Sequence, residues 1–311
     1  MIEILLLVLP VFLVIGLGYS LKGSGLVDGD FLVRLNRLVY YVPLPIMFFY
    51  KIATADFAAS FNPRLLAGIM TTIGVMSISS YLYAGVRKYD KVQRGTFSQA
   101  AFRGNLVFIA LPIVYNAYGE TGFAIAGIMI GFMTAVINFL SILVLLLPHR
   151  QEGHDLRASF WIHQIAFNPL IIASFSGIAW SFFRLPIPAV LANSFEIISG
   201  MTMPLALFVI GASFSFKELR GDITIMSVAM IFKLILMPGI AAGLFLLLGV
   251  QGVEFGVGIL LTGAPAASAG YIMAQQLKGD ADLASSTIMF TTLISVLSYT
   301  LYLYILKIAG I

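Results

Sequence analysis

Ten apolar runs, at about 3–21, 33–52, 63–84, 95–117, 122–147, 168–183, 189–213, 223–248, 255–277 and 283–308, take up almost the whole chain. A helix needs roughly 20 apolar residues to cross the hydrocarbon core of a bilayer, whereas a barrel strand needs only about 10. With no water to satisfy its backbone there, a chain can cross only as helices or as a closed barrel. Runs of this length therefore predict an all-α membrane protein with ten transmembrane helices and no soluble domain. The composition agrees, with 60% hydrophobic and 10% charged residues among 311 and a mean hydropathy of +1.00.

Orientation follows from the basic residues. Twelve of the Lys and Arg residues, Arg34 and Arg37 among them, fall in odd-numbered loops, against Lys51, Arg64, Arg184 and Lys307 on the other side. Positive charge gathers in cytoplasmic loops, so both termini are expected outside the cytoplasm, with the chain in the inner (plasma) membrane. The same rule explains the net charge of +4 without a nucleic-acid partner. The first run, opening Met1-Ile2-Glu3, lacks a basic leader and a small-residue cleavage site and reads as a retained span.

Two spans are interrupted. In RGNLVFIALP, Arg103 to Pro112, a Gly104-Asn105 pair breaks span four. Asn105 is a good N-cap and opens a second half-helix whose free N–H groups carry partial positive charge. In GAPAASAGY, Gly263 to Tyr271, the break falls in span nine, and Pro265 suits the first position of a new half-helix. An ungapped shift of 160 residues brings the interruptions together. It sets Asn105 on Pro265, Gly104 on Ala264, Glu120 on Asp280 and the Pro43–Pro45 region on Pro204, and it matches Gly119/Gly279, Ile128/Ile288 and Met129/Met289 among others. A five-span unit is odd, so its second copy inserts with opposite orientation. The expected fold is two inverted five-helix repeats, 1–148 and 168–311, joined by a cytoplasmic linker at 149–167, with spans 4 and 9 crossing at mid-bilayer.

A break at membrane depth survives where protein or a filled cavity replaces lost backbone hydrogen bonds, so the crossing is the candidate substrate site. Its residues are Arg103, Gly104, Asn105, Ala264, Pro265 and Ser268. Arg103 carries a planar fork suited to a carboxylate and supplies the full charge a dianion needs beyond two helix ends. Asn138, Gln275 and Gln276 are candidates for an ion site or polar network. Pro43, Pro45, Pro112, Pro204 and Gly263 are the expected breaks and hinges. Lys233 lies in span eight, and Glu196 near the start of span seven is the candidate proton acceptor.

At these residues the chain resembles the auxin efflux carrier family, which includes plant auxin carriers and bacterial permeases for small carboxylates. Gly104-Asn105 through Pro112-Ile113 and Tyr118-Gly119 is similar to that family's fourth-span crossover. Ala264-Pro265 through Tyr271-Ile272-Met273-Ala274 is similar to the ninth, and Asn168-Pro169-Leu170 to the opening of its sixth span. The resemblance implies a scaffold domain, a crossover-bearing transport domain moving as an elevator, and a homodimer. The chain departs from the plant carriers in its short central loop, in Arg103-Gly104 before the asparagine, and in Ala266 and Gln276 where those carriers are polar or acidic. A permease for a mono- or dicarboxylate fits better than an auxin carrier.

Competing classes are a passive channel of the same fold and a receptor or scaffold without transport. With no cysteine, thiolate chemistry is excluded. His149, His154 and His163 match no zinc spacing, so neither an enzyme nor a metal site is expected. No cofactor is called for, and a coupling proton or sodium ion is left open.

Overall fold

The computed structural model describes residues 2–56, 60–152, 167–213 and 222–311. His154, His163 and most of the expected linker lie outside the described residues. In order, the elements are α1 (Ile2–Gly23), α2 (Gly29–Tyr41), α3 (Pro43–Thr54), α4 (Pro63–Val86), α5 (Lys91–Phe102), a π-helical turn (Leu106–Ala110) leading into α6 (Leu111–Leu146), a 3-10 turn (Leu147–Glu152), α7 (Pro169–Phe182), α8 (Ala189–Ser213), α9 (Ile223–Ile231), a second π-helical turn (Phe232–Leu236) leading into α10 (Met237–Leu247), α11 (Gly252–Thr262), α12 (Ala269–Gln276) and α13 (Ala281–Ile308). The described residues are all-helical, with no strand. Five stretches are long and apolar enough to cross a membrane: Pro63–Val86, Leu106–His149, Ala189–Ser213, Ile223–Leu247 and Ala281–Ile308; Val8–Gly23, Pro169–Phe182 and Gly252–Thr262 are shorter apolar helices.

Short acidic and amide side chains set where these helices begin. Asn62 accepts from the backbone N–H groups of Arg64 and Leu65, Asp90 from Gln93, Asn168 from Leu170 and Ile171, Asp222 from Thr224 and Ile225, and Asp280 from Leu283. Each answers donors that the first turn leaves without partners.

Helix α6 is two segments. A straight helix of its length would run about 54 Å, but Gly119 has φ 61° and ψ −149°. A Cβ built on Gly122 would stand 3.4 Å from the carbonyl oxygen of Val114, eight residues back, and the rings of Tyr115 and Phe123 lie 6.1 Å apart. In an unbroken helix eight residues span about 12 Å. The chain therefore bends sharply at Gly119, where glycine tolerates a positive φ that side chains resist, and the expected fourth and fifth runs separate there.

The expected proline hinges divide by context. Val42, between α2 and α3, has φ −123° and ψ −76°, and Pro43 opens α3 with Pro45 in its first turn. Pro112 stands just after the first π-helical turn and Pro238 just after the second; the wider turn gives the ring room that a regular helix denies it. Pro204 is a correction: α8 runs through it from Ala189 to Ser213. The loss is confined to the bond to the Gly200 carbonyl four residues back, and Gly200 borders an open cavity.

Packing sorts the helices into two lobes. Helices α1, α2, α3, α7 and α8 make their most extensive contacts with one another; α4, α5, α6 and α9 to α13 do the same. The lobes meet where α6 packs on α7 and where α1 meets α6 and α13. Within the first lobe the seam between α1 and α8 is the tightest. A Cβ on Gly211 would fall 1.7 Å from the Ile15 carbonyl oxygen, and one on Gly18 would fall 2.2 Å from that of Phe208. Backbone cannot yield as a side chain can, so Gly211→Ala is expected to force the helices apart at a cost of about 1–3 kcal/mol. A fall in the unfolding temperature of the purified protein measures it; an unchanged temperature contradicts this seam.

Candidate functional site

The two breaks meet as the spacing of the sequence predicts, by backbone pairing. The Asn105 N–H donates to the Pro265 carbonyl (2.7 Å), the Ala267 N–H donates to the Arg103 carbonyl (3.0 Å), and Gly104 pairs with Ala266 in an isolated antiparallel bridge. The Ala266 N–H is taken by the Thr291 hydroxyl (3.1 Å). Two short extended stretches thus satisfy each other's backbone in an interior where an unmet N–H or C=O is costly. This corrects the reading of Pro265 as the first residue of a half-helix: α12 starts at Ala269, because Pro265 to Ala267 hold the crossing strand. Gly263 ends α11 as its C-cap.

Asn105 does cap the following helical segment, its Oδ1 accepting from the Phe108 N–H at 3.3 Å. Gly104 has a steric reason. A Cβ there would lie 3.0 Å from the Ala264 Cβ and 3.3 Å from the Lys233 Nζ. Lys233 itself is fully buried (0% exposed), a position it reaches through the second π-helical turn, and it donates to the Thr262 carbonyl at 2.7 Å, with the Met237 sulfur 3.1 Å away. Thr262 is the last residue of α11, so the ammonium sits at the negative end of that helix dipole.

A cavity of about 420 Å³ opens on the crossing, between the two lobes. From the second lobe come Arg103, Gly104, Asn105, Asn138 and Ser268; from the first come Asn36, Arg37, Tyr40 and Asn168. Arg103 lines the cavity at the crossing and, among the described residues, pairs with no acid. One of its terminal nitrogens, Nη1, donates to the Asn138 Oδ1 (2.9 Å) and the Ser141 hydroxyl (3.1 Å), while Nε is buried without a partner. The guanidinium is therefore anchored at Nη1, and its buried Nε has no acceptor among the described residues. An arginine guanidinium suits a carboxylate. Among the described residues, no acidic one lines the cavity.

Of the remaining candidates, Asn138 belongs to the site as the Arg103 anchor. Gln275 is exposed and off the cavity, and the side chain of Gln276 lies outside the described residues. Ala264 is buried beneath Gly104. His149 is buried with its Nε2 against the Lys278 carbonyl (3.1 Å). The count of basic residues groups Arg37 with the loops, although Val33, Asn36, Arg37, Tyr40, Tyr41 and Leu44 recur at the spacing of one helix face. That periodicity was the available signal.

A second cavity, of about 430 Å³, lies farther along the same seam. Whereas Leu44 and Leu106 to Phe108 line the first, Met47, Lys51, Pro112, Tyr115, Asn116 and Glu120 line the second, with Glu196 and Ser199 of α8. Buried Ile109, Ala110 and Leu111 stand between. Lys51 of α3 and Glu120 of α6 form an ion pair of 2.8 Å across the seam. Among the described residues no cluster suited to a metal ion occurs.

Comparison with known proteins accords with a membrane-embedded transporter. A family model described as "Membrane transport protein" matches residues 3–303. The chain is 27% identical over 300 residues to an "Uncharacterized transporter" of Methanothermobacter thermautotrophicus, covering 96% of this chain and 97% of the relative. It is 26% identical to a "Putative malonate transporter" of Rhizobium meliloti, covering 99% and 97%. It is 22% identical to "Auxin efflux carrier component 5" of Arabidopsis thaliana, covering 92% of each. These are transporters, not enzymes, and the chain belongs to the membrane transport protein family that includes the auxin efflux carriers.

Proposed function

We propose that this protein is a secondary transporter that carries a small organic anion, a mono- or dicarboxylate, by alternating access, with the anion bound where the two breaks cross. The observation that carries the reading is Arg103: held at Nη1 by Asn138 and Ser141, with a buried donor at Nε left unmet, it lines a cavity that has no competing acid among the described residues. The relative from Rhizobium meliloti, whose name contains malonate, supports a carboxylate as cargo.

Alternating access is supported by the two cavities, which lie at different depths of one seam between lobes with packed apolar residues between them. An inverted repeat of 1–148 and 168–311, joined at 149–167, is supported by the positions of the elements. Shifting by 160 residues lays α4 on α9 to α10 within one residue at each end, sets the Asn62 cap on Asp222, and lays α5 on α11 within one. The antiparallel sense of the Gly104–Ala266 bridge is what two segments of opposite orientation produce. Both termini then face away from the cytoplasm.

The test uses the purified full-length protein. Its unfolding temperature is measured with mono- and dicarboxylates and with their neutral amides. A ligand at a hundred times its dissociation constant adds about 2.7 kcal/mol, so carboxylates should raise the temperature and amides should not. Vesicles holding the protein should also show saturable counterflow of a stabilising carboxylate, which a channel or a receptor does not give. Equal effects of acids and amides would overturn the assignment.

A further inference from the structure

We infer that Lys233 is the built-in cation of the crossing: its ammonium occupies the position a coupling sodium ion would take, so that cargo binding and exchange need no sodium. The part of this that concerns exchange rests on the transporter reading above. Lys233 reaches both breaks. Its Nζ donates to the carbonyl of Thr262, the last residue of α11, at 2.7 Å, and a Cβ added to Gly104 would lie 3.3 Å from it. The Met237 sulfur, 3.1 Å away, is the other partner of Nζ. Among the described residues this fully buried lysine forms no ion pair.

A buried ammonium without an acid beside it is costly, and packing alone would be met by a neutral side chain. What favours a cation here is the carbonyl at the C-terminal end of a half-helix, where the dipole is negative. In transporters built from broken helices, such ends and the unwound carbonyls near them coordinate the coupling cation. In this chain that place is filled by a side chain. The fit is specific. The π-helical turn Phe232–Leu236 sets Lys233 in the interior, and the Tyr302 hydroxyl donates to the Leu234 carbonyl within that turn. The ring of the same Tyr302 leaves no room for a Cβ on Gly263, so it ties the turn that carries the lysine to the end of α11. Gly104, in turn, lacks the side chain that would crowd Nζ from the other break. A cation held by the chain cannot leave with the cargo, and the crossing keeps it whether empty or loaded.

The experiment measures the unfolding temperature of the full-length protein in sodium, methylammonium and choline chloride at one ionic strength, a readout that needs no cargo. Wild type should unfold at the same temperature in all three. Lys233→Ser vacates the position and leaves an oxygen there. It should unfold lower in choline and recover by on the order of a few degrees in sodium or methylammonium, as mass action requires of a cation that binds only the folded state. Lys233→Gln keeps a donor for the Thr262 carbonyl without the charge, and should stay low in every salt. A sodium-specific rise in wild type overturns the inference without any variant. So does a glutamine variant as stable as wild type, or a serine variant equally unstable in the three salts; if the serine variant does not fold, the other two proteins decide. In vesicles, wild-type counterflow of a stabilising carboxylate should run equally fast in sodium and in choline, and dependence on sodium overturns the inference. No counterflow in either salt removes the transporter reading and leaves the place of the cation to the unfolding temperatures.

Discussion

Asn105→Leu is expected to abolish carboxylate binding, by at least about a hundredfold, or about 2.7 kcal/mol, while the protein still folds. The fold survives because the bond from Asn105 to the Pro265 carbonyl is made by backbone and is kept by leucine. What disappears is the cap on Phe108, worth about 0.5–2 kcal/mol, and an apolar branched side chain enters the cavity in place of an amide. Pro265→Leu forms the control. The Pro265 carbonyl serves the crossing, but the residue does not line the cavity, so its replacement should cost less. Titration of both variants with one stabilising carboxylate checks the pair, and full affinity in Asn105→Leu would rule out a site at the crossing.

Arg103→Gln is expected to weaken mono- and dicarboxylates alike, since both place a carboxylate on its guanidinium. Losing a charged hydrogen bond costs about 1.5–3 kcal/mol, on the order of tenfold to a hundredfold in affinity. Sequence alone suggested a loss concentrated on dicarboxylates, because Arg103 was then the one full charge at the crossing; the structure adds Arg37 to the cavity lining. Arg103→Lys should recover part of the loss, as an ammonium cannot form the bidentate pair. It also cannot make the same planar contact with Asn138 and Ser141 while facing the cavity. Complete rescue by lysine, or unchanged affinity with glutamine, would reduce Arg103 to a structural role.

Much of this was legible in the chain because the bilayer restricts the choices. Long apolar runs admit helices, and an Arg-Gly-Asn tripeptide within one of them marks a break that some other group must satisfy. Asn105 could be named as a cap because that chemistry is local, needing only the amide three residues on. Gly104 could be named as the break, though not for its steric reason, since Ala264 and Lys233 approach it from distant parts of the chain.

Where partners are remote, the sequence stopped short. Helix propensity puts Pro265 at the start of a helix; the carbonyl it lends to Asn105 keeps it extended. The count of basic residues groups Arg37 with the loops; α2, which packs against α8, carries it to the cavity. Lys233 can be seen to lie inside a span, but not that it ends up against the last carbonyl of α11. The lobes are the largest case, because each draws helices from both halves of the chain. In a soluble protein an apolar stripe shows which face a helix buries. Here nearly every face is apolar, lipid is as good a partner as leucine, and helix association depends on close packing and polar contacts. The sequence by itself determined an all-helical membrane protein and where its backbone breaks; which helices pair, and which charges those pairings bring to the crossing, was decided by the tertiary structure, because glycine seams such as Gly18 and Gly211 and single polar contacts act between residues that one-dimensional periodicity does not connect.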